Sequence, residues 1–344
     1  MEIRGELCHE LLLKSQTPSL TFSENVDFNS WRAELKKNAN ELLGLNEIVK
    51  NSCPPNLTIE EDIEKEGYRR IRFVIETEIG AFCPCYLLIP NTGKDKYPLA
   101  ITLQGHSTGF HNSIGEPKYD DDVDYMPRGA FAVQAVENGF AALAIEQRAM
   151  GERRVTDSNK WRSRGCDFHS FTAMLLGRTV IGERCWDISR CIDALQYFKD
   201  YLDLDKIVLT GNSGGGTATY YASCFDDRIK IAVPSCAFCT YEESILSMYH
   251  CSCNYIPNAR KYYEMQDFSA LIAPRKLVLI NGEKDTIFPI TGVKKGYEVI
   301  KKIYKSAGCE DNCRLVVTPK SHWWCVDIVW PTILEEAKKL GWEI

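Results

Sequence analysis

Short, nearly continuous apolar runs recur along this chain, separated by polar stretches rich in Gly, Pro, Asn and Asp. Leu99–Leu103, Gly139–Ile145, Ile207–Thr210, Ile229–Pro234 and Lys276–Asn281 are the clearest of them. Each is too short for a helix and long enough for a strand. A strand that is apolar at successive positions, rather than at alternate ones, is buried on both faces, as in a parallel sheet covered by helices. Arg69–Glu78 alternates instead, and Cys83–Ile89 and Arg314–Thr318 read as further strands. Between the runs, apolar residues recur at helical spacing over Trp31–Leu43, Phe131–Asn138, Glu183–Tyr201, Gly292–Ser306 and Asp327–Leu340. The alternation predicts an α/β fold, with a mostly parallel central sheet and helices on both faces.

Residues 1–60 read as a helical, polar extension closed by the breaker Asn51–Pro55, and residues 61–344 as one domain with an insertion at about 238–272. Residues 148–182 carry no clear period. The polar stretch 110–127, with Asp120, Asp121, Asp122 and Asp124, reads as a loop over the mouth of a site.

One junction carries chemistry. The run Ile207–Thr210 ends in Gly211-Asn212-Ser213-Gly214-Gly215, and a small-residue segment with helical propensity follows at once. Strand, tight glycine turn and helix is the context that presents a serine as a nucleophile, with the next N–H, here of Gly214, free to stabilise an oxyanion. A phosphate-binding loop would need Lys and Ser/Thr after the last glycine, and Thr217-Ala218 stands there.

A serine hydroxyl needs a base. Of the six histidines, His322 follows the last predicted strand and precedes the last helix, in Pro319-Lys320-Ser321-His322. The acid belongs on a loop after a strand later than that of the nucleophile. Asp285, in Asn281-Gly282-Glu283-Lys284-Asp285, is preferred there over Glu283. The chain order Ser213, Asp285, His322 is that of α/β-hydrolases. The second oxyanion donor is expected from the loop Gln104-Gly105-His106, through the His106 N–H. Arg148 and Glu152, just past the run Gly139–Ile145, are candidates to brace the site loops, with Asp187 and Arg190 as further members of a buried ion network. Trp323 and Trp324 beside His322, and Trp161, are candidates to line a substrate-binding surface, with core packing as the alternative.

Composition narrows the partners. Of 344 residues, 44% are hydrophobic and 26% charged, with a net charge of -6 and no basic cluster, which argues against nucleic acid. No apolar run approaches the ~18 residues of a membrane helix. The start of the chain has early acids and no apolar core of a signal peptide, so a cytoplasmic protein is expected. The 15 cysteines are scattered, as expected of reduced, buried thiols. Cys83-Pro84-Cys85, and Cys251-Ser252-Cys253 beside His250, resemble metal ligands superficially. A C-x-C next to one histidine lacks the second pair of a tetrahedral zinc site, so neither metal nor cofactor is expected.

The ordered segments Leu103-Gln104-Gly105-His106, Glu146-Gln147-Arg148 through Gly151-Glu152-Arg153, Gly211 to Gly215, Ala273-Pro274-Arg275, Asn281 to Pro289 and Ser321-His322 together resemble the acetylxylan esterase and cephalosporin-C deacetylase group of α/β-hydrolases, and the related dienelactone-hydrolase-like proteins. The resemblance covers about residues 65–340. It implies Ser213, Asp285 and His322 as a triad, backbone donors at His106 and Gly214, removal of acetyl groups from sugars, and no cofactor. Homo-oligomeric assembly stays open. The group tends to have His-Gly-Tyr where this chain has Gln104-Gly105-His106, and Ser-Gln-Gly where it has Ser213-Gly214-Gly215. The expectation is a serine hydrolase of a small carboxylic ester. A prolyl-oligopeptidase-type peptidase and a catalytically silent binding protein on the same fold are the alternatives.

Overall fold

The computed structural model describes residues 3, 5–155 and 165–344. Nine strands form one sheet: β1 Leu57–Lys65, β2 Tyr68–Glu78, β3 Ala81–Pro90, β4 Tyr97–Leu103, β5 Ala141–Ile145, β6 Leu202–Asn212, β7 Ile229–Ser235, β8 Lys276–Gly282 and β9 Cys313–Thr318. Their order is β1-β2-β3-β5-β4-β6-β7-β8-β9. The first three strands and the β3–β5 pair are antiparallel, and every pairing from β5 through β4 to β9 is parallel. The α/β expectation is met.

The continuous apolar runs have the cause inferred for them. Along β8, Leu277 and Leu279 belong to one core cluster, while Val278 and Ile280 belong to another. Successive residues of a strand point to opposite faces, so the sheet has a core on each side. The larger core packs under the helices Val180–Ala194, Gly214–Phe225 and Ile290–Ser306, and the smaller under Phe131–Glu137 and Val326–Lys339.

Two elements depart from the sequence reading. Strand β1 crosses residue 60, where the helical extension was expected to end. Its Glu60, Glu61 and Asp62 pair with Arg72, Arg70 and Arg69 on β2, at 2.6, 2.8 and 2.6 Å. Cross-strand ion pairs, rather than an apolar face, specify this edge, so hydrophobic periodicity does not reveal it. In the stretch expected to be irregular, Gly165–Leu175 forms a helix.

The N-terminal helix Phe28–Leu42 buries Trp31, Leu35 and Ala39 in the larger core. The segment before it docks on the insertion: Ser19 N–H donates to Lys261 O at 3.0 Å and Phe22 N–H to the Asp267 carboxylate at 2.9 Å. The two segments outside the repeating sheet-and-helix pattern are therefore held against each other.

Candidate active site

Strand β6 runs out at Asn212, and the helix Gly214–Phe225 starts two residues later. Ser213 makes the whole turn, with φ 55° and ψ -122°. A non-glycine residue in that conformation is strained and persists only where its surroundings hold it. They do: the Ser213 N–H donates to Ser235 O on the neighbouring strand at 2.9 Å. A Cβ on Gly215 would lie 2.1 Å from Leu103 O, and one on Gly211 2.6 Å from the same oxygen, so both positions exclude a side chain. The turn places the serine at the N-terminus of a buried 12-residue helix, where the partial positive charge favours an anion.

His322 follows β9, and Asp285 follows β8. Their side chains meet: His322 Nδ1 to Asp285 Oδ2 is 2.8 Å. The other oxygen, Asp285 Oδ1, accepts from the Ile287 and Phe288 N–H groups at 2.8 and 3.1 Å. Burial alone would raise the Asp285 pKa. The His322 hydrogen bond and charge and the two backbone donors outweigh it and hold the carboxyl below its usual value. Phe288 stacks on the imidazole with ring centroids 5.9 Å apart and planes within 16°, fixing its orientation. This leaves Nε2 as the nitrogen available to a substrate-side partner.

Ser213 and His322 line the same cavity of about 760 Å³, together with Gly105 and His106. No hydrogen bond joins Ser213 Oγ to His322. Such contacts commonly tighten only when substrate is bound. The His106 loop lies against the elbow, since a Cβ on Gly214 would come within 2.9 Å of the His106 ring. The backbone N–H groups of His106 and Gly214 have no acceptor among the described residues.

The other expected residues separate. Trp324 is fully buried, packs on Phe131 at 4.3 Å and donates from Nε1 to Gln134 at 3.0 Å. It is core and lines no substrate surface, which corrects the expectation. Trp323 is 42% exposed and lies 3.5 Å beneath the guanidinium of Arg128. Arg128 itself lines the cavity, so Trp323 reaches the site by supporting it. Trp161 lies outside the described residues.

Arg148 is held by Asp187 through two bonds of 2.9 Å and by Glu78 at 2.5 Å. Arg153 reaches the same Asp187 at 2.6 Å. Burial would raise the Asp187 pKa, but the two guanidinium groups push it well below the ordinary carboxylate range. The buried ion network therefore exists. Arg190 stands outside it, bonded to Asp193 and to Cys53 O. Glu152 also stands outside it, paired with Arg72 at 2.7 Å and about a third exposed. The carboxylate that does brace the loops is Glu146, at the end of β5. It accepts from the N–H groups of Phe110 and Glu152 at 3.3 and 3.2 Å, and burial pushes its pKa up to about 8. Its place at the C-terminal end of a central strand is the signal that could have singled it out.

Sulfur gathers here as well. Cys166, Cys251, Cys253 and His106 bring one ligand-type atom each to within 4.8 Å of one another. His250, the sequence neighbour that made the C-x-C resemble half a zinc site, bonds Ser244 at 3.1 Å and takes no part. The missing pair comes instead from His106 and Cys166, which are distant in sequence.

Against known proteins, the model of the Abhydrolase family matches residues 4–321. The protein YtaP of Bacillus subtilis (strain 168), named as a hydrolase, is 27% identical over 243 residues, which is 70% of this chain and 77% of that protein. Among solved structures, a Bacteroides fragilis NCTC 9343 protein named as an acetyl xylan esterase superposes with a TM-score of 0.79 at 18% identity, over 98% of this chain and 96% of that one. A glucuronoyl esterase from Solibacter usitatus superposes with a TM-score of 0.64 at 16% identity, over 94% of this chain and 97% of that one. Among the described residues no helix is long and apolar enough to cross a membrane.

Proposed function

The chain belongs to the Abhydrolase family, and from that premise we propose that it is a serine carboxylic-ester hydrolase acting through an acyl-enzyme. The observation that carries the reading is that His322, held by Asp285 at 2.8 Å, lines the same cavity as a serine on a strained strand-to-helix turn. His322 Nε2 takes the Ser213 hydroxyl proton as Oγ bonds to the acyl carbon. Asp285 holds the imidazole in the required tautomer and stabilises the imidazolium. The oxyanion forms at the N–H groups of His106 and Gly214, beside the helix N-terminus, where preorganised donors act with little reorganisation. Collapse returns the proton to the departing alcohol. Water then repeats the sequence, with His322 as its base, and frees the acid.

A small acetylated, carbohydrate-like ester is the substrate class we infer. One structural neighbour is named for an acetylated xylan and another for a glucuronoyl ester, so both names point to carbohydrate esters and the first to an acetyl group. The cavity is of small-molecule size, and Arg128 and the acid-rich turn at Asp121, Asp122 and Asp124 offer charged and polar groups at its wall. The test is hydrolysis of p-nitrophenyl esters of increasing acyl length and of acetylated sugars, with Ser213→Ala in parallel. Acetate turnover that vanishes in the variant, and fluorophosphonate labelling at Ser213, are expected. A wild-type protein that turns over no ester and takes no label would refute the reading.

A further inference from the structure

Three separated stretches of chain converge beside the cavity: the loop after β4, the start of the helix Gly165–Leu175, and the segment between β7 and β8. They deliver His106, Cys166, and the pair Cys251 and Cys253. His106 Nε2 lies 3.2 Å from Cys253 Sγ, and Cys251 Sγ 3.3 Å from Cys253 Sγ. A tetrahedral zinc ion bound at about 2.3 Å to sulfur and about 2.0 Å to imidazole nitrogen sets sulfurs about 3.8 Å apart, and nitrogen about 3.5 Å from sulfur. Those two pairs reach that geometry by opening about 0.3–0.5 Å, and all four ligand atoms already lie within 4.8 Å of one another. All three cysteines are free thiols.

A second observation points to negative charge at this place. Arg184 is fully buried and meets no carboxylate among the described residues. Its guanidinium donates to Arg148 O at 2.9 Å, and otherwise faces Cys253 Sγ at 3.4 Å and Cys166 Sγ at 3.6 Å. A buried cation without an anion is costly. Three thiolates on one divalent ion carry a net charge of minus one and supply the missing partner. The chain offers a contrast in the trio Cys83, Cys85 and Cys191, whose ligand atoms gather as closely but find no fourth ligand among the described residues. The cation nearest that trio, Arg153, is already paired with Asp187.

We propose that His106, Cys166, Cys251 and Cys253 bind one zinc ion that pins the loop after β4 to the helix Gly165–Leu175 and to the segment between β7 and β8. Binding replaces three S–H bonds by S–Zn bonds and releases three protons to solvent. His106 gives its Nε2 lone pair and keeps its proton on Nδ1. Thiolate and imidazole ligands select zinc over the hard divalent ions. With four protein ligands the ion has no open position, so its role is structural. That the pinned loop carries an oxyanion donor rests on the proposed function; the binding of zinc does not.

The experiment is metal analysis of the full chain, purified under reducing conditions, stripped, and reloaded with zinc or with Co²⁺. One zinc per chain is expected, together with thiolate-to-cobalt charge-transfer bands and the d–d absorption of tetrahedral Co²⁺. Cys251→Ser and Cys166→Ser should each weaken retention by more than the roughly 10–100-fold that changes outside the ligand set cost, while Cys8→Ser, at an exposed thiol, keeps one zinc. Should the ligand variants fail to fold, the wild-type cobalt spectrum decides alone. No stoichiometric metal in reloaded wild-type protein, an octahedral spectrum, or zinc retained by both ligand variants overturns the proposal. Ser213→Ala should bind zinc as wild type does; a wild-type protein that holds zinc but turns over no ester counts against the ester reading and not against the site.

Discussion

Asp285 and Asp187 are both buried carboxylates held below their ordinary pKa, and the difference lies in who holds them. Asp187 faces Arg148, Arg153 and the Thr77 hydroxyl, the last at 2.6 Å. A guanidinium does not give up its proton in a protein, so the charges of that cluster are fixed. Asp285 faces one imidazole and two backbone N–H groups. An imidazole can gain and lose a proton near neutral pH. The same residue type thus anchors a network in one place and attends a proton-transfer group in the other. The partner decides which.

The sharpest way to break this comparison is at the proposed triad. Ser213→Ala should lower kcat on a short-chain ester by about 10⁴–10⁶-fold, equivalent to about 5–8 kcal/mol of barrier. Asp285→Asn should cost about 10⁴-fold, because the amide favours the wrong imidazole tautomer. Both variants should keep the wild-type urea midpoint to within a fraction of a molar. Asp285→Asn with full activity would remove the distinction between the two aspartates.

Asp187→Asn should do the reverse. It takes the carboxylate from buried Arg153 and one of several from Arg148, which keeps Glu78, and should destabilise the fold by about 3–5 kcal/mol, seen as a lowered denaturation midpoint. Activity of the folded fraction should fall less than about tenfold, since no group at Asp187 touches the cavity. A kcat loss as large as that of Asp285→Asn at unchanged stability would place Asp187 in the chemistry.

The contrast also explains what the sequence made legible. Ser213 and Asp285 follow β6 and β8, strongly apolar central strands with two buried faces, which are the easiest elements to read; His322 follows the edge strand β9, and its place between the last strand and the last helix is what singled it out. The turn glycines could be identified because the backbone tolerates nothing else there. Strand β1 escaped because its partners are charges. Trp323 and Trp324 are adjacent and chemically identical, yet one supports Arg128 at the cavity wall while the other is core; only the fold assigns their faces. Cys166 and His106 joined the Cys251–Cys253 pair through tertiary contact alone, and no spacing rule spans that gap. Arg190 sits three residues after Asp187 and still bonds elsewhere, because helix geometry sets neighbours and not partners.

Glu146 gives a pH-dependent test of intermediate size. Burial raises its pKa from the usual 4.5 to about 8. Between those values the folded state keeps a proton that the unfolded state has lost, so wild-type stability falls as pH rises through that window. Glu146→Gln is neutral at every pH and removes the penalty. The variant should match wild type near pH 4 and exceed it by up to about 4 kcal/mol near pH 8. Parallel stability curves for the two proteins would show that the carboxyl is ionised throughout, contradicting the effect of its burial.

The smallest effect is expected at Glu152, and it decides whether that side chain braces the site loops. Its partner Arg72 is also held by Glu60 at 2.6 Å, and it stacks over Tyr86 at 5.3 Å. Removing one partner of a part-exposed pair whose cation keeps another anion should cost about 0–1 kcal/mol. Glu152→Ala should therefore leave kcat/KM for a short ester within about twofold of wild type and move the urea midpoint barely at all. The backbone N–H of Glu152, which Glu146 accepts, survives the substitution. A tenfold fall in kcat at unchanged stability would mean that the carboxylate itself, and not its backbone, positions the loop beside Ser213.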